Sequence, residues 1–397
     1  MSETDLDIDK DDFTDASTTF PLKFKLANTF LFGNKPVRHL GNFILQSKHG
    51  NDKHKKFPGV CGQASENICC VNDKGSIAVH NIQKSNQVWN CDTLDNITGL
   101  SVFEQNKLLC STQDNIKMWD TRQAASGQPV MVMEDTSQKA RGCHYNCVSV
   151  NTSGLVVAGT EQIRDESFLL FWDTRQSGKL QGGYWETHCD DITSVQFKPG
   201  SENILATGCT DGLVNILDVA VSDEDDALVT SHNTQDSVAR LLWYSTSKGD
   251  EDNLAIQTHT EAVQLWHTPD CSAHTVLDRD SVCHGIRRTV SEFTYIAGLL
   301  PPSSSTSSGL TVLAGSRCPG HTCLRLGQIR NKKVKPMSLM EGLGGVVTSC
   351  TSLGDHLVIT GTENGVVTTW REGDVKEDHN DLKISNKISK SLKIKPY

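Results

Sequence analysis

The chain has 397 residues, 37% hydrophobic and 22% charged, with a formal charge of −10. That length holds two or three average domains or one large β-architecture. The acidic balance argues against a general nucleic-acid or membrane-surface binder, and no run of 18 apolar residues is present to cross a bilayer as a helix.

The start, MSETDLDIDKDD, lacks the apolar core of a secretory signal. An intracellular location, cytoplasmic or nuclear, is therefore expected, with the fourteen cysteines as thiols. Residues 1–20 read as an acidic disordered arm, because the first fifteen carry seven acids against one lysine. PLKFKLANTFLF, residues 21–32, alternates Leu22, Phe24 and Leu26 with Lys23 and Lys25, which is a strand pattern. Short apolar runs then end in a recurring grammar: AVHN (78–81), KMWD (117–120), LFWD (170–173), NILD (215–218), QLWH (264–267) and TTWR (368–371), with a weak copy in CLRLG (323–327). The positions aligned with tryptophan are His80, Trp119, Trp172, Leu217, Trp266, Arg325 and Trp370.

The clearest unit is residues 188–218. ITSVQF, ILATG and LVNILD read as three strands, separated by turns at 198–203 and at Asp211–Gly212. Between units lie polar loops: SDEDD (222–226), STSKGDEDN (245–253) and LPPSSSTSSG (300–309). The acids Asp223, Glu224, Asp225 and Asp226 read either as a solvated turn or as an acidic docking loop. Residues 376–397 form a polar, basic tail with five lysines after position 382, and disorder is expected there.

Seven units of this size fit one all-β domain over residues 21–375: a seven-bladed β-propeller of four-stranded antiparallel sheets. No good fourth strand follows Trp370, so the strand at 21–32 is expected to complete the last sheet and close the ring. Trp119, Trp172, Trp266 and Trp370 would then space adjacent sheets.

Residues 188–218 resemble the WD40-repeat family at His188, Asp191, Pro199, Thr207, Gly208, Asp211, Gly212 and Asp218. The resemblance implies a buried network of loop histidine, strand hydroxyl, turn aspartate and tryptophan. Here His188, Thr207 and Asp211 are in place and Leu217 replaces the tryptophan, so a truncated network with a structural role is implied.

No catalytic residue, cofactor or metal is expected. Cys318, His321 and Cys323, and likewise Cys143, His144 and Cys147, lie close in sequence but lack a second ligand pair. Phosphate-loop, dinucleotide-binding and nucleophile-elbow patterns are absent. The basic runs at 54–56 and 332–335 are not interleaved with aromatic residues. The remaining signal is WDTRQ, which occurs at 119–123 and again at 172–176. WDxR resembles the motif by which substrate receptors of cullin-4 ubiquitin ligases dock their adaptor, which implies that role for Arg122 and Arg175. Upstream spacing departs from the pattern, since Asp114 stands only five residues before Trp119 and QIRDES is inserted in the next unit. The alternative is that both arginines pair with a neighbouring blade's acid, such as Asp120 or Asp173. The expected function is a non-catalytic scaffold whose loops bind other proteins or peptides. Adaptor docking is the narrower alternative, and an enzyme with a central-channel site is the alternative from another class.

Overall fold

The computed structural model describes residues 23–31, 37–44 and, with short gaps in loops, 64–373. The arm at 1–20, the tail at 376–397, the loop core at 303–308, and Cys318 and His321 lie outside the described residues.

The chain opens with β1 (Lys23–Leu31) and then lays down six complete sheets. Blade 1 is β2 (Val37–Ile44), β3 (Ala64–Asn72), β4 (Ser76–Asn81) and β5 (Asn86–Asp92). Blade 2 is β6 (Ile97–Phe103), β7 (Lys107–Thr112), β8 (Ile116–Asp120) and β9 (Met131–Met133). Blade 3 is β10 (Tyr145–Val150), β11 (Leu155–Thr160), β12 (Ser167–Asp173) and β13 (Leu180–His188). Blade 4 is β14 (Ile192–Phe197), β15 (Ile204–Cys209), β16 (Leu213–Asp218) and, after a one-turn helix α1 (Glu224–Ala227), β17 (Leu228–Asn233). Blade 5 is β18 (Val238–Tyr244), β19 (Asn253–Thr258), β20 (Val263–His267) and β21 (Thr275–Leu277), followed by α2 (Arg279–Gly285). Blade 6 is β22 (Thr294–Leu300), β23 (Thr311–Ser316), β24 (Leu324–Arg330) and β25 (Lys333–Met340). Blade 7 has β26 (Val347–Leu353), β27 (Leu357–Thr362) and β28 (Val366–Gly373), and its outer strand is β1. Lys23 lies opposite Gly373 and Leu31 opposite Val366. The ring is therefore zipped by the N-terminal strand, as the alternation at 21–32 predicts.

Every inner strand carries a β-bulge. In six blades it sits one residue after the strand begins, at Arg38, Thr98, Asn146, Thr193, Ala239 and Thr348. In blade 6 it moves two residues on, to Ala297. A bulge twists a strand locally, and the side-chain hydroxyls of two of these residues also reach neighbouring blades. Thr193 Oγ1 lies within hydrogen-bond reach of Gly208 O in its own blade (3.1 Å) and Val238 O in the next (2.6 Å). Thr348 Oγ1 bonds the Val37 carbonyl across the closing seam.

Apolar side chains fill each gap between sheets, giving seven clusters around the ring. Trp119 packs onto blade 1, Trp172 onto blade 2, Leu217 onto blade 3, Trp266 onto blade 4 and Trp370 onto blade 6. Trp172 also donates its indole N–H to Glu134 O at 3.2 Å. The exception is blade 6, where register places Gly327, rather than Arg325, at the tryptophan position: Gly327 pairs with Val312 just as Trp172 pairs with Val156. With no tryptophan in β24 to mark the position, CLRLG aligns two residues early. Val282 and Ile286 at α2, with Val334, fill the space that the missing indole leaves. A Cβ at Gly327 would lie 2.5 Å from Val334 Cγ1, so this position has to be small.

Trp172 is fully buried. Replacing it with alanine is expected to cost about 3–5 kcal/mol in chemical denaturation, the range for large-to-small substitutions at aromatic core positions. The same change at Gln176, at the exposed end of the motif, is expected to stay within about 0.5 kcal/mol.

Candidate functional site

Antiparallel order puts the turn after each third strand on one face of the ring, together with the turn between first and second strands. WDTRQ forms that third-strand exit in blades 2 and 3, and each letter has a local task. The tryptophan packs between blades. The aspartate caps the turn: Asp120 Oδ1 accepts from Arg122 N at 3.0 Å, and Asp173 Oδ1 from Arg175 N at 2.8 Å. The threonine N–H reaches the neighbouring turn, from Thr121 to Asn106 O (2.8 Å) and from Thr174 to Gly154 O (2.9 Å). Glutamine closes the turn through its N–H to the aspartate carbonyl, at 3.1 Å in Gln123 and 3.0 Å in Gln176.

The arginine folds back on the same aspartate. Arg175 Nε lies 2.9 Å from Asp173 Oδ1 and Nη2 lies 2.8 Å from Oδ2; in Arg122 the distances to Asp120 are 2.9 and 2.5 Å. The side chains nevertheless remain 65% (Arg122) and 73% (Arg175) exposed. The acid involved belongs to the arginine's own blade, two residues upstream, and not to a neighbouring blade. Hydrogen bonds from these guanidiniums are the main reason both aspartates titrate below the usual carboxylate range.

The acidic segment 223–226 makes the turn of helix α1. Asp223 caps it, and Asp225 and Asp226 face solvent. Glu224 is differently placed: its carboxylate accepts from Trp185 N (2.6 Å), Glu186 N (2.8 Å) and the Thr187 hydroxyl. These three residues bulge out of β13, whose register jumps between Ser167–His188 and Leu169–Tyr184. Glu224 therefore serves as the acceptor that the strand ladder lacks there, and Tyr184 Oη donates to Val221 O at 2.5 Å beside it.

On the opposite face, His188 Nε2 lies 2.8 Å from Thr207 Oγ1 and Asp211 Oδ1 caps Leu213 N at 2.7 Å. Cys209 and Asp211 crowd the same histidine. Burial is the dominant influence on His188 and pushes its imidazole down to about 4, against a smaller upward pull from Asp211. Blade 7 holds the complementary half of such a network, with Trp370 Nε1 donating to Thr360 Oγ1 at 2.9 Å. At the channel mouth Arg240 spans two blades, from Nη1 to Ala297 O (3.1 Å) and from Nη2 to Thr348 O (3.4 Å). Neither Arg240 nor the inward role of Glu224 is marked by a motif in the sequence. Of the cysteine–histidine candidates, Cys143 and Cys147 are buried, and Cys147 Sγ donates to Ile192 O at 3.5 Å. His144 turns to Gln113 O at 3.2 Å, so the three do not converge.

No protein-family profile matches the chain. Raptor from Chaetomium thermophilum superposes with a TM-score of 0.65 at 9% identity, covering 90% of this chain and 30% of that one, a likeness of fold alone. An uncharacterised WD repeat-containing protein of Schizosaccharomyces pombe is 30% identical over 156 residues, 37% of this chain and 45% of the relative. Seven four-stranded blades and the third-strand Trp–Asp exits make the chain a seven-bladed β-propeller, and this likeness makes it similar to the WD repeat-containing proteins. It is similar, more particularly, to a WD repeat-containing protein 89 homolog of Dictyostelium discoideum, at 24% identity over 40% of this chain and 39% of that protein. The chain thus matches under half the length of these curated relatives. Propellers of this class typically act as protein-interaction scaffolds, and no enzyme family is indicated. Among the described residues no helix is long and apolar enough to cross a membrane.

Two outcomes follow from the site geometry. Removing the carboxylate in Glu224→Ala is expected to cost about 1–3 kcal/mol, since it strands two backbone N–H groups, while Asp225→Ala and Asp226→Ala change little; thermal unfolding of the three variants checks this. The pH dependence has a definite sign. His188 is depressed in the fold, so the unfolded chain binds more protons between about 4 and about 6.5. Its contribution to stability is complete above that window and is lost as pH falls through it. The midpoint of thermal unfolding should therefore drop from pH 7 to pH 5, and less steeply in His188→Gln.

Proposed function

We propose that the protein is a non-catalytic scaffold that binds partner proteins through the face carrying the third-strand exits, with Arg122 and Arg175 as its anchors. The observation supporting this is the state of these two side chains. They stand at the same step of consecutive blades, are 65% and 73% exposed, and are held by two hydrogen bonds each from Nε and Nη2. A guanidinium fixed in this way has little rotamer freedom left to lose on binding and keeps its Nη1 edge for a carbonyl or carboxylate of the partner.

The partner that best suits this arrangement is the adaptor of cullin-4 ubiquitin ligases, met through the paired WDTR motifs, which would make the protein a substrate receptor. Asp225 and Asp226, on the exposed side of α1, are the acidic part of the proposed docking surface; Asp223 and Glu224 support it by capping the helix and the neighbouring strand.

Affinity purification of the full chain, read by mass spectrometry, tests this proposal. The adaptor is expected with the native chain and to fall at least about tenfold with Arg122→Ala/Arg175→Ala, a loss of roughly 1.4 kcal/mol or more. Thermal unfolding of the double variant should change little, because exposed ion pairs contribute little to stability. Absence of the adaptor from both samples, or equal recovery in both, overturns the docking role.

A further inference from the structure

Register fixes an equivalent position on every outer strand: the residue opposite the one that makes the third strand's last pair with the second strand. It is Cys91, Met133, Tyr184, Leu277, Met340 and Phe30 in blades 1, 2, 3, 5, 6 and 7. None of these side chains can carry a positive charge. Blade 4 puts His232 there, opposite Val214. His232 is 1% exposed and is the only buried residue of β17, so it is the side chain that anchors this strand to the ring. Its imidazole stacks on Trp266 of blade 5, with ring centroids 4.6 Å apart and planes tilted by 34°.

A leucine or methionine would fill this place without leaving a polar group unmet. The histidine does not. Neither ring nitrogen has a hydrogen-bond partner among the described residues. Either tautomer therefore leaves one N–H and one lone pair unsatisfied, which is costly in a buried ring. A proton adds to the cost, because a charge and two N–H bonds would then lack an acceptor. Burial accordingly holds the imidazole below its ordinary range, against a smaller upward pull from Asp270. Asp270 is 56% exposed and sits 3.8 Å from His267, which limits that pull. The other charged groups on the surrounding elements exert none that compares: Asp218 on β16, Asp236, Arg240 on β18, and His267 and His274 beside β20 and β21. The indole face of Trp266 attracts a cation but gives its N–H bonds no oxygen to meet.

We propose that His232 is an acid-sensitive key in the joint between blades 4 and 5. At neutral pH the uncharged ring fills the joint and holds β17 against Trp266. When the strand swings open at lower pH, a proton from solvent adds to the imidazole lone pair; no other bond breaks, and nothing is oxidised or reduced. The charged ring is then kept out of the joint and β17 stays loose. Protons bind the open ring more tightly than the closed one. Closure is therefore at full strength above about 6.5 and weakens as pH falls below it, with the open-to-closed ratio rising by up to about tenfold per pH unit.

Hydrogen exchange of the full chain, read by mass spectrometry and corrected for the intrinsic rate, tests this. Protection of the amides of β17 is expected to fall about three- to tenfold from pH 7.5 to pH 5.5, whereas β5, with Cys91 at the equivalent position, holds its value. His232→Leu, with the residue that blade 5 uses, should be better protected throughout and show no such fall. The response of His188 is common to both proteins, so the difference between them isolates His232. No fall in the native chain, or an equal fall in His232→Leu, overturns the proposal. Should the variant fail to fold, exchange of the histidine C2–H in the native chain decides. His232 is expected to titrate below about 6.5, and a value at or above that overturns the key equally.

Discussion

A four-stranded sheet with apolar residues on both faces cannot hide them alone, and every larger feature of this protein answers that constraint. Each blade offers one face to the blade before it and one to the blade after, so the only arrangement with no uncovered end is a circle. The seven interblade clusters are the energetic substance of that circle. Tryptophan suits the task because one side chain spans the gap between sheets, yet it is not indispensable. Leucine serves at blade 4 and the end of a short helix serves at blade 6. Filling volume is the requirement, and the residue that fills it can come from elsewhere in the chain.

The repeated WDTRQ belongs to the same logic. Its tryptophan seals a gap, its aspartate caps a turn, its threonine ties that turn to the next, and its arginine covers the aspartate. With the glutamine closing the turn, all five residues have a task in folding before any partner is considered. The arginine alone has a chemical remainder: a charged edge, held still, facing water. A side chain recruited first to neutralise a turn carboxylate is already oriented when a binding partner arrives.

Much of the architecture was legible because it is periodic. Blade number, strand order and closure through 21–32 follow from the spacing of the third-strand endings and from alternation in one N-terminal stretch. Six of the seven interblade positions fall on the aligned residue, and the seventh fails at Arg325 because the position is held by Gly327, a residue with no apolar side chain to mark it. The site was harder to read. WDTRQ advertises two arginines but not that each would close on its own aspartate, since a two-residue side-chain bond leaves no periodic trace. Glu224 looked like its neighbours in a run of four acids. Only the bulge in β13, created by pairing far from it in sequence, turns that one carboxylate inward. Cys209 carries no motif in the sequence, because its approach to His188 depends on how two blades meet.

The pairing of residues 23–31 with residues 366–373 carries a consequence for how the protein is made. At a ribosome adding roughly 5–20 residues per second, the strand emerges and then waits for more than 330 further residues, about twenty seconds to a minute, before its partner exists. Throughout that interval an amphipathic strand and an unfinished row of sheets stand open to other chains. The cell must shield a nearly complete wheel until its last piece arrives, so demand for chaperones should be set by the late synthesis of one short segment rather than by the bulk of the domain.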